Sequence, residues 1–152
     1  MSTFKFRADA ALRWRRQQED AAKVALANAE RRVRQAAEAA TRVRQQMVQA
    51  GARAREAESQ PTAAVYAQWH RNWIKKQQRD LVRALEVVEQ RRGEHREAER
   101  RVMAAHRDVR VLERLRDRAL DRHQTQERRA EQQAMDLLGV MQYTIRQLGE
   151  RT

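Results

Sequence analysis

A seven-residue repeat of apolar side chains runs along most of this chain and limits the folds that it can adopt. With heptad position a placed at Leu12, twelve of the fourteen a and d positions from residue 12 to residue 57 are apolar. The two exceptions, Arg15 and Glu19, lie at the start of the run. A sustained heptad with charged residues between its apolar positions is typical of coiled coils. The repeat predicts a first helix over about residues 8–57.

A second heptad run follows the single proline of the chain. Pro61 lies in the segment 58–62, and proline disfavours the continuation of a helix through its own position. From Ile74 to Val140, thirteen of the twenty a and d positions are apolar. We therefore predict a turn at about 58–62 and a second helix over about 63–146. The expected fold is all-α, with two long helices forming an antiparallel coiled-coil hairpin and residues 1–152 forming a single domain.

Composition limits how much apolar surface such a chain can bury. Charged residues make up 36% of the 152 residues, and aromatic residues only 5%. Long helices and coiled coils have this composition, whereas a compact globular core needs more large apolar side chains. Burial is therefore expected along one narrow seam between the helices.

The two predicted helices differ in length, and the longer one is expected to overhang. A turn near residue 60 places Leu12 opposite Asp108 and Val109. Helix two then continues for about 35 residues beyond the start of helix one, which is about 50 Å at a rise of 1.5 Å per residue. This overhang, roughly 112–148, is expected to have no partner within the chain, and an uncovered apolar stripe usually marks a partner surface. Association of two hairpins through the same stripe is the alternative.

The sequence contains none of the motifs that carry common catalytic chemistry. It has no glycine-rich phosphate loop and no His-Glu-x-x-His. The four histidines are scattered, with no pair at the three- or four-residue spacing that places two ligands on one helix face. We predict a protein that is not an enzyme, with no catalytic residues, no cofactor, no metal site and no small-molecule substrate.

The chain also lacks targeting features. No stretch approaches the roughly 20 apolar residues that cross a bilayer, and the N-terminal residues show no apolar core of a signal peptide. Cysteine is absent, which is compatible with a reducing compartment. A cytoplasmic location is expected.

The net charge of +12 raises nucleic-acid binding as a competing function. Acidic residues are interleaved with the basic ones through most of the chain, and no cluster of aromatic residues that could serve as a stacking platform for bases occurs outside residues 66–73. Nucleic acid is therefore not expected as a partner. A local excess remains in residues 59–79, which contain no acid and four cations: Arg71, Lys75, Lys76 and Arg79.

Three aromatic residues follow the predicted turn at helical spacing. Tyr66, Trp69 and Trp73 are three and four residues apart, so they share one face of helix two. Exposed aromatic side chains of this kind are enriched in binding hot spots. The alternative is that they pack against the turn and the end of helix one.

Three segments resemble the FliJ family of flagellar type III export proteins. The likeness spans nearly the whole chain and also agrees in length and in the helix–turn–helix order. The segments are Phe4-Lys5-Phe6-Arg7 with the following Ala11-Leu12-Arg13-Trp14-Arg15 and Gln18-Glu19-Asp20-Ala21-Ala22; Tyr66-Ala67-Gln68-Trp69-His70; and Val111-Leu112-Glu113-Arg114-Leu115-Arg116-Asp117-Arg118 with the later Gln126-Glu127-Arg128-Arg129-Ala130-Glu131-Gln132-Gln133-Ala134-Met135-Asp136.

The resemblance implies a stalk similar to the γ-subunit coiled coil of rotary ATPases. Its terminal end would lie in the ring of the hexameric flagellar export ATPase and stimulate it. The other end would contact the cytoplasmic domain of the export gate membrane protein, and export chaperones are further expected partners. The protein would then be cytoplasmic and peripherally associated with the inner-membrane export apparatus. A stalk protein of an injectisome, or a basic coiled-coil scaffold or nucleic-acid-binding protein, remains an alternative.

The resemblance also implies two sets of site residues, and truncation after about residue 112 is expected to abolish ATPase stimulation. The expected export-gate-binding residues are Tyr66, Trp69, Trp73 and Lys76. The expected ATPase-ring-binding residues are Phe4, Phe6, Leu112, Leu115, Arg116, Leu120, Leu137 and Leu138.

Overall fold

Two helices account for nearly all of the described chain. The structure is a computed structural model that describes residues 3–59 and 63–149. Helix α1 comprises Asp9–Glu58 and helix α2 comprises Ala63–Gly149. No strand occurs within these described ranges. The two helices pack against each other, which confirms the all-α hairpin predicted from the heptads.

The start of α1 is stabilised by local contacts. The backbone N–H of Asp9 donates to the carbonyl of Phe6 at 3.1 Å, and that of Leu12 donates to the carbonyl of Ala8 at 2.9 Å. The carboxylate of Asp9 lies 3.2 Å from the guanidinium of Arg13. A negative charge in the first turn is favoured by the helix dipole. These contacts explain why the helix begins where the apolar repeat begins.

The predicted turn is described only at its start. Glu58 is the last residue of α1. Ser59 forms a turn in which its hydroxyl donates to the carbonyl of Glu56 at 2.6 Å. The rest of the predicted turn, including Pro61, lies outside the described residues.

The chain divides into two compact units. One consists of Met1–Gln17 and His106–Thr152, and the other is the continuous stretch Gln18–Ala105. Each unit combines a part of α1 with a part of α2. That residues 1–152 form a single domain stays a prediction.

The seam between the helices follows the predicted heptad. All fourteen predicted a and d positions of α1 are buried or half-buried, and so are those of α2 from Ile74 to Leu112. The only large side chain that is fully buried among the described residues is Leu12, which is 1% exposed. Most of the other buried apolar positions are alanines, so the seam is narrow. The buried apolar residues are Leu12, Ala29, Ala40, Ala50, Ala54, Val88 and Val109.

The register of the pairing differs from the one expected. Arg32 lies 3.9 Å from Glu94 in one unit, and Phe4 contacts His123 in the other. In four such cross-helix pairs the two residue numbers add up to between 123 and 129, and not to the 120 expected. That Leu12 faces Asp108 and Val109 stays a prediction, since Arg15, three residues after Leu12, pairs with Asp108 at 2.9 Å.

Candidate functional site: two partner-binding surfaces

The first candidate surface lies near the start of α2 and is built on two stacked indoles. The rings of Trp69 and Trp73 are nearly parallel, 5° apart, with centroids separated by 5.8 Å. The amine of Lys76 lies 5.1 Å from the ring centroid of Trp73, within the range of a cation–π contact. His70 meets Trp69 edge-on at 5.1 Å. We call Tyr66, Trp69, Trp73 and Lys76 the aromatic patch.

The aromatic patch is open to solvent, although it borders α1. Trp69 is 57% exposed and Trp73 is 37% exposed. One side of the indole pair lines a groove of about 400 Å³ whose opposite wall comes from α1. The rings therefore border the end of α1 and remain partly exposed, and their role as a binding surface stays a prediction. The α1 residues lining the groove are Gln46, Gln49, Ala50 and Arg53.

Lys76 differs from the other cations of this region in having a carboxylate partner. Its amine lies 3.1 Å from Oδ2 of Asp80, so its charge is already paired. Asp80 lines the same groove as the indoles. The aromatic patch thus combines two flat apolar rings with a cation whose charge is paired by the neighbouring Asp80.

The second candidate surface is the C-terminal part of α2. Every residue from 128 to 149 is exposed, and we call this stretch the free end. It carries large apolar side chains that no other part of the described chain covers. They are Met135, Leu137, Leu138, Val140, Met141, Tyr143, Ile145 and Leu148.

The free end is shorter than the overhang predicted from the sequence. Leu112, Leu120 and His123 are half-buried. The ring of Phe4 lies 5.6 Å from that of His123, and the guanidinium of Arg16 lies 3.1 Å from the carboxylate of Glu113. The prediction that the overhang is uncovered from residue 112 is therefore wrong, because seven of the sixteen residues from 112 to 127 are half-buried. The displaced register and the contact of Phe4, which precedes α1, with His123 account for the additional coverage.

The predicted ring-binding residues consequently fall into three groups. Leu137 and Leu138 belong to the free end, and Leu115 and Arg116 are exposed within the paired region. The others are half-buried against the chain itself, so part of each side chain already contributes to the fold. These are Phe4, Phe6, Leu112 and Leu120.

The contact at Glu113 has an electrostatic consequence. The hydrogen bond from the guanidinium of Arg16 lowers the pKa of the Glu113 carboxyl, and Arg110 at 3.2 Å acts in the same direction. A hydrogen bond to the charged form favours that form. The ionised form of Glu113 is therefore the form that favours the contact with Arg16 at the start of α1.

Several exposed residues of the free end are not among the site residues predicted from the sequence. A signal was present, because Ala134, Leu138, Met141, Ile145 and Leu148 are separated by four, three, four and three residues. This stripe lies one residue out of phase with the heptad followed from Ile74. A heptad kept in the same phase from Ile74 to the end of α2 therefore misses these residues.

Another exposed aromatic residue lies on α1. The ring of Trp14 is 52% exposed, and the guanidinium of Arg15 lies 4.9 Å from its centroid. Trp14 belongs to neither candidate surface.

Within the described ranges, no group of three or more histidine, aspartate or glutamate residues is arranged to hold a metal ion. Neither helix contains, over residues 9–58 or 63–149, a stretch apolar enough to cross a bilayer.

Comparison with known protein families gives a match that spans both helices. The family model described as "Flagellar FliJ protein" matches residues 5–148, which include both helices and both candidate surfaces. No curated protein and no solved structure matches the chain. The matched family consists of non-catalytic stalk or escort proteins of flagellar export. Since the match covers nearly the whole chain, the protein belongs to the FliJ family.

Proposed function

We propose that the protein is the central stalk of the flagellar type III export apparatus. In this proposal the free end lies in the ring of the hexameric export ATPase and stimulates its turnover. The aromatic patch contacts the cytoplasmic domain of the export gate. Export chaperones are further partners, and their contact is supported by family membership alone.

The exposed free end is the observation that carries this proposal. Its 22 residues extend about 33 Å as a helix, and eight large apolar side chains along it are exposed. Apolar surface of this extent on a single helix is unfavourable in water. A partner that covers the free end would remove this surface from solvent.

The distribution of these side chains around the helix favours a pore over a second helix. Leu138, Met141 and Ile145 follow at three- and four-residue spacing and share one side. Val140 is two residues from Leu138, which is about 200° around the helix, so it points the opposite way. A packed neighbouring helix covers one side only. The pore of a ring surrounds a helix and can cover all of it.

Stimulation would follow from unequal contacts around the ring. One helix cannot present the same side chains to six identical subunits at once. Subunits that bind the free end better in one conformation are shifted toward that conformation. The free end would therefore couple the states of the subunits through differences in binding free energy.

The aromatic patch supports the second contact in the proposal. Tryptophan and tyrosine dominate binding energy at many interfaces because they bury large areas with few rotatable bonds. Stacking holds the two indoles in one orientation before a partner arrives. A preoriented surface loses less conformational entropy on binding.

The test is truncation of the free end. Because Arg16 pairs with Glu113 and Phe4 contacts His123, removal of everything after residue 112 would also damage the fold. We therefore place the cut after Glu127. The shortened chain should retain its helical circular dichroism and its melting temperature, and stimulation of the purified export ATPase should be lost.

A matched substitution pair accompanies the truncation. Leu138→Ser with Ile145→Ser removes two apolar residues of the free end, and Val24→Ser with Val48→Ser removes two exposed apolar residues of α1. Only the first pair should reduce stimulation. Full stimulation by the chain truncated after Glu127 would refute the assignment of the free end to the ring.

A further inference from the structure

Four cations form a line along one side of α2. Arg71, Lys75, Arg79 and Arg83 follow at four-residue spacing, so they extend for about 18 Å along the helix. All four side chains are exposed. We call these four residues the basic ridge.

The basic ridge is not neutralised by the chain itself. Among the described residues, no carboxylate forms an ion pair with any of its four members. Arg71 donates to Oε1 of Gln68 at 3.3 Å, which leaves its charge uncompensated. Lys76 differs, because Asp80 pairs with it at 3.1 Å. The region thus presents a linear positive charge beside, and separate from, the aromatic patch.

The surface around the ridge is a shallow hollow and not an enclosed pocket. It has a volume of about 650 Å³ and is lined by α2 alone. The exposed side chain of Val82 lies between the cations, and Glu86 lies at the end farther from Arg71. An open hollow on a single helix cannot enclose a small anion, but the helix can lie on an extended anionic surface.

We propose that the basic ridge docks on the anionic phospholipid surface of a membrane. Residues 63–83 contain five Lys and Arg against one Asp, and the exposed Val65 and Val82 lie on the same side of α2 as the ridge. Basic residues are attracted to anionic headgroups, and apolar side chains beside them can enter the boundary between headgroups and acyl chains. A nucleic acid or an acidic peptide would use the cations, but neither accounts for the two exposed valines on the same side of the helix.

This inference is independent of the gate contact proposed above, since it concerns lipid without any export protein. The test is co-sedimentation of the full chain with vesicles of neutral phosphatidylcholine and with vesicles that also contain anionic phosphatidylglycerol. Salt is kept at about 0.1 M, where charges interact over about 10 Å. Each cation near the surface contributes a factor of about five, so replacing three should lower the partition coefficient about 100-fold.

The test variant is Lys75→Gln with Arg79→Gln and Arg83→Gln. Its matched control is Arg31→Gln with Arg34→Gln and Arg42→Gln, which removes the same charge from exposed positions of α1. The wild type should prefer anionic vesicles. Among the variants, only the one altered in the ridge should lose that preference.

Three outcomes would overturn the proposal. The first is failure of the wild type to bind anionic vesicles better than neutral ones. The second is an equal loss in both triple variants, which would mean that net charge alone attracts the protein. The third is ridge-dependent binding of a polyglutamate peptide or a DNA oligonucleotide that exceeds binding to vesicles. Circular dichroism of both variants verifies that the helices remain intact.

Discussion

The indole rings of Trp69 and Trp73 lie nearly parallel, with their centroids 5.8 Å apart and both rings partly exposed. Replacing both with alanine should weaken binding to the cytoplasmic domain of the export gate at least 30-fold, because truncation of a hot-spot residue typically costs about 2 kcal/mol or more. Stimulation of the export ATPase should be unchanged. Titration calorimetry against the purified gate domain measures the first effect, and an ATPase assay measures the second.

Trp14→Ala is the control for this pair, since Trp14 is exposed to a similar degree and lies outside the aromatic patch. It should bind the gate domain like the wild type. If the double variant loses gate binding and ATPase stimulation together, the indoles maintain the fold and do not form a binding surface.

Leu12 and Leu138 are the same residue type in opposite environments. Leu12 is 1% exposed and Leu138 is 55% exposed. Leu12→Ala should lower the free energy of unfolding by about 2–4 kcal/mol, whereas Leu138→Ala should change it by less than about 0.5 kcal/mol. Urea unfolding followed by circular dichroism compares the two. A comparable loss for Leu138→Ala would show that the free end is covered within the free protein.

The pairing of Arg16 with Glu113 predicts part of the pH dependence of stability. The pKa of the Glu113 carboxyl is lowered below its ordinary value of 4.5, chiefly by the hydrogen bond from Arg16. A lowered pKa stabilises the fold above the unfolded value, and this contribution is lost as the pH falls through the folded value. Glu113→Gln should therefore lose less stability than the wild type as the pH falls below 4.5.

Thermal melts between about pH 6 and pH 3 measure this difference. Glu131→Gln, a change in the exposed free end, should follow the wild-type profile. Arg16→Gln should reproduce the effect of Glu113→Gln, because it removes the other partner of the hydrogen bond. Identical profiles for Glu113→Gln and the wild type would show that the contact does not stabilise the fold.

The alanine-rich seam predicts a marginally stable free protein. Seven of the fourteen a and d positions of α1 are alanine, and even a complete valine or leucine side chain contributes only roughly 1.5–3 kcal/mol on burial. A saturating partner at about 100 times its dissociation constant should add about 2.7 kcal/mol and raise the melting temperature. A sharp melt of the free chain at high temperature, independent of protein concentration, would contradict this prediction.

Much of the fold could be predicted from periodicity because burial in a hairpin repeats along the sequence. The heptad from Leu12 to Ala57 identified every covered a and d position of α1. The register could not be obtained in this way, since a heptad is satisfied equally by pairings displaced along the seam. Only contacts such as those of Arg32 with Glu94 and of Phe4 with His123 select one of them.

The candidate surfaces were predictable to different extents. The spacing of Trp69 and Trp73 placed them on one face, but their stacking and the pairing of Lys76 with Asp80 depend on side-chain geometry. The predicted overhang begins before the observed free end, because the prediction does not include residues before α1 in the pairing. That Phe4 covers His123 follows from the conformation of residues 3–8, for which the heptad holds no information.

The cross-helix pairs enclose one another along the sequence, so the order of synthesis sets the order in which they can form. Arg32 pairs with Glu94, Arg15 with Asp108, and Phe4 with His123, and in each pair the first residue is synthesised long before the second. A chain that leaves the ribosome from its N-terminus must release α1 before any of its partners exists. As the partners emerge, pairing proceeds from the turn outward, and each further pair costs little additional loop-closure entropy. The residues that emerge first are therefore the last to be sheltered, and during translation they are open to chaperones and proteases for longest.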